Sequence, residues 1–193
     1  MKYEQRTSNK GCITAWGTFS IGFVSVWPAL LVGVWLQEWL PLQPGSPAAP
    51  LLYAALPEEV IKFIVAAIMM MIFRVPAMLV GLGFGLSETV FLASASPWPI
   101  RLLTSVPLHA GTTAIAAFLV RHTPLPNASA GIGRLAGTIG LLGSAVLLHW
   151  IYNLAVRQSS ILYWFAAWLP LLLWAALNGL RPDRNTAIKH PRL

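Results

Sequence analysis

Acidic residues and cysteine are both scarce in this chain. Among its 193 residues, six are Asp or Glu and 13 are Lys or Arg, so that only 10% are charged. Soluble domains carry about 25% charged residues, and the low value here, together with 56% hydrophobic residues, excludes an ordinary soluble globular protein. The single cysteine, Cys12, excludes a disulfide scaffold. The six acids are Glu4, Glu38, Glu58, Glu59, Glu88 and Asp183.

Long apolar runs make up most of the chain. A helix needs about 20 apolar residues to cross the hydrocarbon of a membrane. Six runs qualify, at roughly 13–36, 51–73, 76–95, 101–120, 135–156 and 161–180. They predict an all-α, polytopic membrane protein, a bundle of about six transmembrane helices in which 1–193 form a single integral-membrane domain. Pro28 predicts a bend in the first helix.

The basic residues predict how the chain is oriented. If the N-terminus is cytoplasmic, Arg101 and Arg157 lie on the outer side and ten basic residues lie on the inner side. The positive-inside rule then predicts an integral plasma-membrane protein with both termini in the cytoplasm. The rule also explains the net charge of +7 without a nucleic-acid partner. The ten inner residues are Lys2, Arg6, Lys10, Arg74, Arg121, Arg134, Arg181, Arg184, Lys189 and Arg192.

Small residues recur in two of the runs. The third contains Gly81, Gly83 and Gly85, and the fifth contains Gly137, Gly140 and Gly143 and is preceded by Gly133. Because small residues allow membrane helices to approach closely, both sets predict tight helix packing.

Ionisable and amide side chains interrupt the apolar runs. A charged residue at a helix centre costs about 2.5–3.5 kcal/mol, and such residues normally face the bundle interior and mark function. Four of them lie seven or eight residues from the predicted outer ends, at a depth of about 10–12 Å; Asn153 is shallower. We therefore predict one polar layer in the outer half of the membrane. The residues within the runs are Glu58, Glu59, Lys62, Glu88, His109, His149 and Asn153.

The spacing of Glu58, Glu59 and Lys62 predicts an ion pair. The lysine follows the two glutamates by four and three residues, so it points between them. One glutamate is then neutralised and the other keeps an unpaired charge. The alternative is that both glutamates only cap their helix near the interface. His149 and Asn153 share a helix face, and their alternative role is an interhelical hydrogen-bonded pair.

These residue types suit amide hydrolysis, which needs a base to activate water, a donor for the oxyanion and an acid for the leaving amine. A glutamate in an apolar site can serve as the base. Histidine can hold the water or give up a proton, and an asparagine amide can bind the oxyanion. Cys12 lies at the opposite end of the first run, which argues against a cysteine nucleophile.

The same residues carry a resemblance to a known family. Glu58-Glu59-Val60-Ile61-Lys62 matches EExxK, Phe84 to Glu88 matches FxxxE, and His109 is followed by His149 to Asn153, an HxxxN. In this order, over residues 57–156, the chain resembles the PrsW-type intramembrane proteases, which are grouped with the CAAX prenyl endopeptidases and Abi proteins. The lysine spacing and Glu88 favour the PrsW type over the CAAX branch.

The resemblance implies a glutamate-dependent endopeptidase with a catalytic core at about 51–156. Its partners would be a membrane-anchored protein or peptide substrate and the lipid bilayer, and its active site would face the extracytoplasmic side. By the same resemblance, Glu58 or Glu59 activates water, assisted by Glu88 and His109. His149 and Asn153 bind the oxyanion, and Lys62 tunes the charge of the glutamate pair.

Three alternatives stay open at this point. The first is a catalytic metal such as zinc on Glu58, Glu88, His109 and His149, although the chain has no HExxH motif and we predict no cofactor. The second is an ion- or proton-coupled transporter, since intramembrane Glu and His also form proton relays. The third is an immunity-type membrane binding protein without catalysis.

Overall fold

The computed structural model describes residues 14–73, 75–91, 97–122, 130–158 and 161–179, and the regular structure in these ranges is helical throughout. The prediction of an all-α chain with six helices is confirmed. Cys12 and both chain termini lie outside the described residues. The six main helices are α1 (Thr14–Trp39), α2 (Leu56–Phe73), α3 (Met78–Phe91), α4 (Trp98–His122), α5 (Ala130–Arg157) and α6 (Leu162–Gly179).

Helix α1 is interrupted once, at Ser25. The Ser25 hydroxyl donates to the carbonyl of Gly22 at 2.7 Å. Pro28 has no N–H, and its ring crowds the carbonyl four residues earlier. The irregularity predicted at Pro28 therefore lies in the preceding turn.

Helix α2 is entered through a helical segment rather than directly from a loop. A short α-helical turn, Ala48–Pro50, leads into a π-helical turn, Leu51–Ala55, and then into α2. Pro57 has no N–H to donate to the Tyr53 carbonyl. That carbonyl packs closely on Gly33 of α1, where a Cβ would lie 2.2 Å from it. The two glutamates that follow Pro57 therefore lie inside a continuous helical path and do not cap a free helix end.

Helix α3 packs backbone to backbone between α1 and α4. A Cβ at Gly81 would lie 2.2 Å from the His109 carbonyl, and a Cβ at Gly83 would lie 2.1 Å from the Phe19 carbonyl. At Gly85 the nearest atom, the Val106 Cα, would be 2.8 Å away. Since no real side chain tolerates such distances, glycine is required here, as predicted from the small residues of this helix.

The same prediction is wrong for three of the four glycines of α5. A Cβ at Gly137, Gly140 or Gly143 would meet nothing within 4 Å; the surroundings of Gly133 are outside the described part of the chain. Ile139 and Ser144, in the same half of the helix, are exposed. At these three positions, α5 therefore makes no close contact with another helix among the described residues.

Two of the described helices, Thr14–Trp39 and Leu162–Gly179, are long and apolar enough to cross a membrane. Most of their residues face outward, including large apolar side chains such as Leu31 and Leu172. Helix α3 is apolar but has 14 residues, and α2 carries the charged residues of the candidate site. Membrane-type helices are thus supported for two of the six predicted spans, and the polytopic arrangement stays a prediction.

Candidate active site

Polar side chains from α2, α3, α4 and α5 meet in one buried cluster. Each is at most 8% exposed, and the rings of the two histidines meet edge to face with centroids 4.9 Å apart. The residues that were predicted to share one layer are therefore in mutual contact. The cluster consists of Glu58, Glu59, Lys62, Glu88, His109 and His149.

Glu59 is the paired glutamate of α2. Its Oε1 accepts from Lys62 Nζ at 2.5 Å and lies 2.9 Å from His149 Nδ1. The Thr112 hydroxyl is 3.4 Å from the same oxygen. The ammonium therefore lies on the side of Glu59 rather than midway between the two glutamates, and one acid of the pair is neutralised, as the spacing predicts.

Lys62 has its full set of hydrogen-bond acceptors although it is only 1% exposed. Besides Glu59, its Nζ lies 2.6 Å from His109 Nδ1 and 3.3 Å from Thr112 Oγ1. An ammonium has three donors, so these contacts satisfy it. The ammonium also sits 5.3 Å from the ring centroid of Phe84, at cation–π distance. Phe84 of the FxxxE match thus helps to hold this charge in place.

Glu88 is in contact with three donors from α4. Its Oε1 accepts from Arg101 Nη2 at 2.7 Å, and its Oε2 accepts from the Ser105 hydroxyl. His109 Nε2 lies 2.8 Å from the same Oε2. Three donors thus hold the two oxygens of Glu88, and the contact with Nε2 positions His109.

The hydrogen-bond partners determine which nitrogen of each histidine carries the proton. The Lys62 ammonium can only donate, so His109 Nδ1 accepts and the proton of His109 is on Nε2, facing Glu88. The Glu59 carboxylate can only accept, so the proton of His149 is on Nδ1. In the neutral form of His149, Nε2 then has a lone pair.

Glu58 differs from every other charged member of the cluster. Its Oε2 is buried and has no hydrogen-bond partner among the described residues. That oxygen lies 3.7 Å from His149 Nε2 and 3.8 Å from His109 Nε2, too far for direct hydrogen bonds. A water placed to one side of these atoms, about 2.8 Å from each, could bridge Glu58 Oε2 and the lone pair of neutral His149 Nε2.

A metal ion is the other group that could bridge these atoms. Ligand atoms of Glu58, His109 and His149 lie within 4.8 Å of one another, whereas tetrahedral zinc with bonds near 2 Å places its ligands about 3.3 Å apart. Binding through His109 Nε2 would also move that proton to Nδ1, directly against the Lys62 ammonium at 2.6 Å. Two donors cannot share that distance, so the cluster as arranged suits water better than zinc.

A cavity of about 960 Å³ lies beside the cluster. Its wall includes Glu88, Arg101 and Asn153, and its rim includes residues 42–45 of the Pro-rich loop. Asn153 follows His149 by one helical turn, about 6 Å along α5. It is half-buried and is the one predicted site residue that the structure places on the cavity wall rather than in the hydrogen-bonded cluster.

Three residues that contact the cluster were not predicted. Arg101 was assigned only to the outer basic residues, and Ser105 and Thr112 were not considered. A signal was present, because Arg101, Ser105 and His109 follow one another at intervals of four and so line one face of α4.

Comparisons with known proteins give no relative. No family model matches the chain, and no curated protein or solved structure matches it. The interpretation of the site therefore rests on its motifs and its geometry.

Proposed function

We propose that this protein is an integral-membrane endopeptidase that hydrolyses peptide bonds of membrane-anchored proteins with water activated by Glu58. The observation that carries the proposal is the buried, unpartnered Oε2 of Glu58, which faces the lone pair of His149 Nε2 at 3.7 Å. A fully paired cluster would be explained by stability alone. A water held by the carboxylate and the neutral imidazole would supply the missing donor, and hydrolysis consumes water.

The membrane setting follows from the same residues. We propose a polytopic bundle of six spans with both termini in the cytoplasm and the site in the outer half. Outward-facing apolar side chains on α1 and α6 support it, and so does the burial of all the charged cluster residues away from the surface. The cavity would then open toward the extracytoplasmic side and admit the substrate there.

The proposed reaction begins with a water held between Glu58 Oε2 and His149 Nε2. As the water oxygen attacks the carbonyl carbon, Glu58 takes one proton, and the carbonyl oxygen becomes an oxyanion. The protonated Glu58 then gives this proton to the leaving amine as the C–N bond breaks. The products are a new carboxyl terminus and a new amino terminus.

The other residues support this step. Asn153, on the cavity wall one turn from His149, would donate its amide to the oxyanion. Glu59 fixes the ring and tautomer of His149, and Glu88 does the same for His109. Lys62 keeps Glu59 charged and prevents it from competing for the water proton. In this proposal Glu58 is the base, and Glu59 is a positioning residue.

The test is cleavage of membrane-anchored reporter proteins by the purified chain in lipid nanodiscs. The wild type and Glu58→Gln are compared, with Glu38→Gln as the control because Glu38 is exposed on α1. We expect cleavage by the wild type and the control, and cleavage about 10²- to 10⁴-fold slower by Glu58→Gln. Equal cleavage by all three variants would refute the proposal.

Two further measurements separate the alternatives. Activity that survives exhaustive chelation supports metal-free water activation, and activity that returns only with added zinc assigns the chemistry to a metal. Proton flux into liposomes that is lost in Glu88→Gln, without peptide cleavage, would assign the cluster to transport instead.

A further inference from the structure

The outer cavity carries more positive than negative charge. The charged residues among its described lining are Glu88, Arg101 and Arg157, and Glu88 already pairs with Arg101 at 2.7 Å. Arg157 is exposed at the last turn of α5 and has no ion-pair partner within the described ranges. One guanidinium on the wall is therefore available to an anion that enters the cavity.

Arg157 lies on the same face of α5 as two residues of the proposed active site. His149, Asn153 and Arg157 follow one another at intervals of four on α5, so they form a row along one face. Asn153 and Arg157 both line the cavity. Eight residues of helix separate His149 from Arg157, a rise of about 12 Å. An extended peptide covers this distance in roughly four residues.

We propose that Arg157 is a specificity residue that binds a carboxylate of the substrate, an acidic side chain or a chain terminus, roughly three to five residues from the cleaved bond. This inference rests on the proposed function, because it uses His149 as the origin of the measurement. Arginine suits the role since its planar fork binds carboxylates through two parallel hydrogen bonds. Glu88 is the one carboxylate among the described lining residues, and it is paired with Arg101, so it does not compete with the substrate for Arg157.

Two simpler roles for Arg157 exist. A cation in the last turn stabilises the helix dipole, and a basic residue near the membrane surface attracts anionic lipid headgroups. The double variant R157Q/Q158R tests both, because it keeps a cation at the end of α5 but turns it by about 100° away from the row. Gln158 is exposed, so the exchange changes no buried contact.

The experiment measures binding, which does not depend on turnover. Glu58→Gln protein in zwitterionic nanodiscs is titrated with labelled peptides that carry one Glu or one Gln at the predicted distance. We expect the Glu peptide to bind about tenfold more tightly, and the preference to vanish in both R157Q and R157Q/Q158R. The charge exchange Arg157→Glu should transfer the preference to a Lys peptide.

Each other outcome counts against the inference. Equal binding of the two peptides overturns it, and equal binding combined with Arg157-dependent retention of anionic lipid assigns the residue to headgroups. A preference that survives in R157Q/Q158R shows that only local charge matters. Because binding is measured separately from cleavage, an Arg157-dependent preference in a protein that cleaves nothing would retain the anion site and reject only the endopeptidase.

Discussion

The buried cluster has two parts that differ in how their charges are matched. In the matched part, Glu59, Lys62 and Glu88 have a partner for each charge. In the open part, Glu58 Oε2 and His149 Nε2 face each other without a donor between them. An unpaired buried charge costs several kcal/mol, so folding alone favours the first arrangement and not the second. We therefore propose that the matched part holds the structure and that the open part is the part that reacts.

Replacement of the unpaired acid should give the largest effect. We expect Glu58→Gln to lower peptide cleavage by about 10²- to 10⁴-fold, the usual contribution of a general base. Its thermal stability should stay the same or rise, because a neutral amide replaces an uncompensated charge. Cleavage assays and melting curves in the same detergent check both. A variant that unfolds instead would place Glu58 in the matched part.

Replacement of the adjacent Glu59 should have the opposite result, a loss of stability larger than any direct loss of activity. Glu59→Gln leaves the Lys62 ammonium buried without its carboxylate, and breaking a buried pair from one side costs about 3–5 kcal/mol. We expect a large loss of stability, measured by denaturation in detergent, with any loss of activity secondary to it.

A second substitution provides the control. Glu59→Gln combined with Lys62→Met removes both charges and should recover most of the lost stability. If the double variant is no more stable than Glu59→Gln alone, the Glu59–Lys62 pair does not account for the stability of the matched part.

The next largest effect is expected where α3 packs against α4, the contact that supports Glu88 and His109. A leucine at Gly81 would push its Cβ to within 2.2 Å of the His109 carbonyl and 2.7 Å of Thr113 Oγ1. Overpacking costs typically 1–3 kcal/mol, and we expect Gly81→Leu to reach about 3 kcal/mol because the obstacle is backbone. Activity should fall together with stability, in contrast to Glu58→Gln.

Sequence reasoning was sufficient for the parts of the molecule with a local signal. Apolar run length predicted six helices, and counting residues from the helix ends placed Glu58, Glu88, His109 and His149 in one layer. Spacing also predicted that only one of the two glutamates is neutralised. These inferences need only the rise and the period of a helix.

Features that depend on the relative position of helices could not be obtained in this way. Spacing left open whether Glu58 or Glu59 is paired, because that depends on where α4 and α5 place their histidines. The sequence alone does not show whether Arg101 is a surface cation or a partner of Glu88, because that depends on how α3 packs against α4. The glycines of α3 and α5 have the same pattern, and only their neighbours distinguish them.

The substitution with the smallest expected effect tests whether the glycines of α3 and α5 differ in their packing. Gly140 has nothing within 4 Å of its would-be Cβ, so Gly140→Leu meets no obstacle, and leucine is the better helix former. We expect a change in stability within about 0.5 kcal/mol and unaltered cleavage, measured beside Gly81→Leu. If Gly140→Leu instead lowers cleavage without unfolding the protein, then the N-terminal half of α5 has a partner during turnover. The open part of the cluster would then depend on a surface far from it.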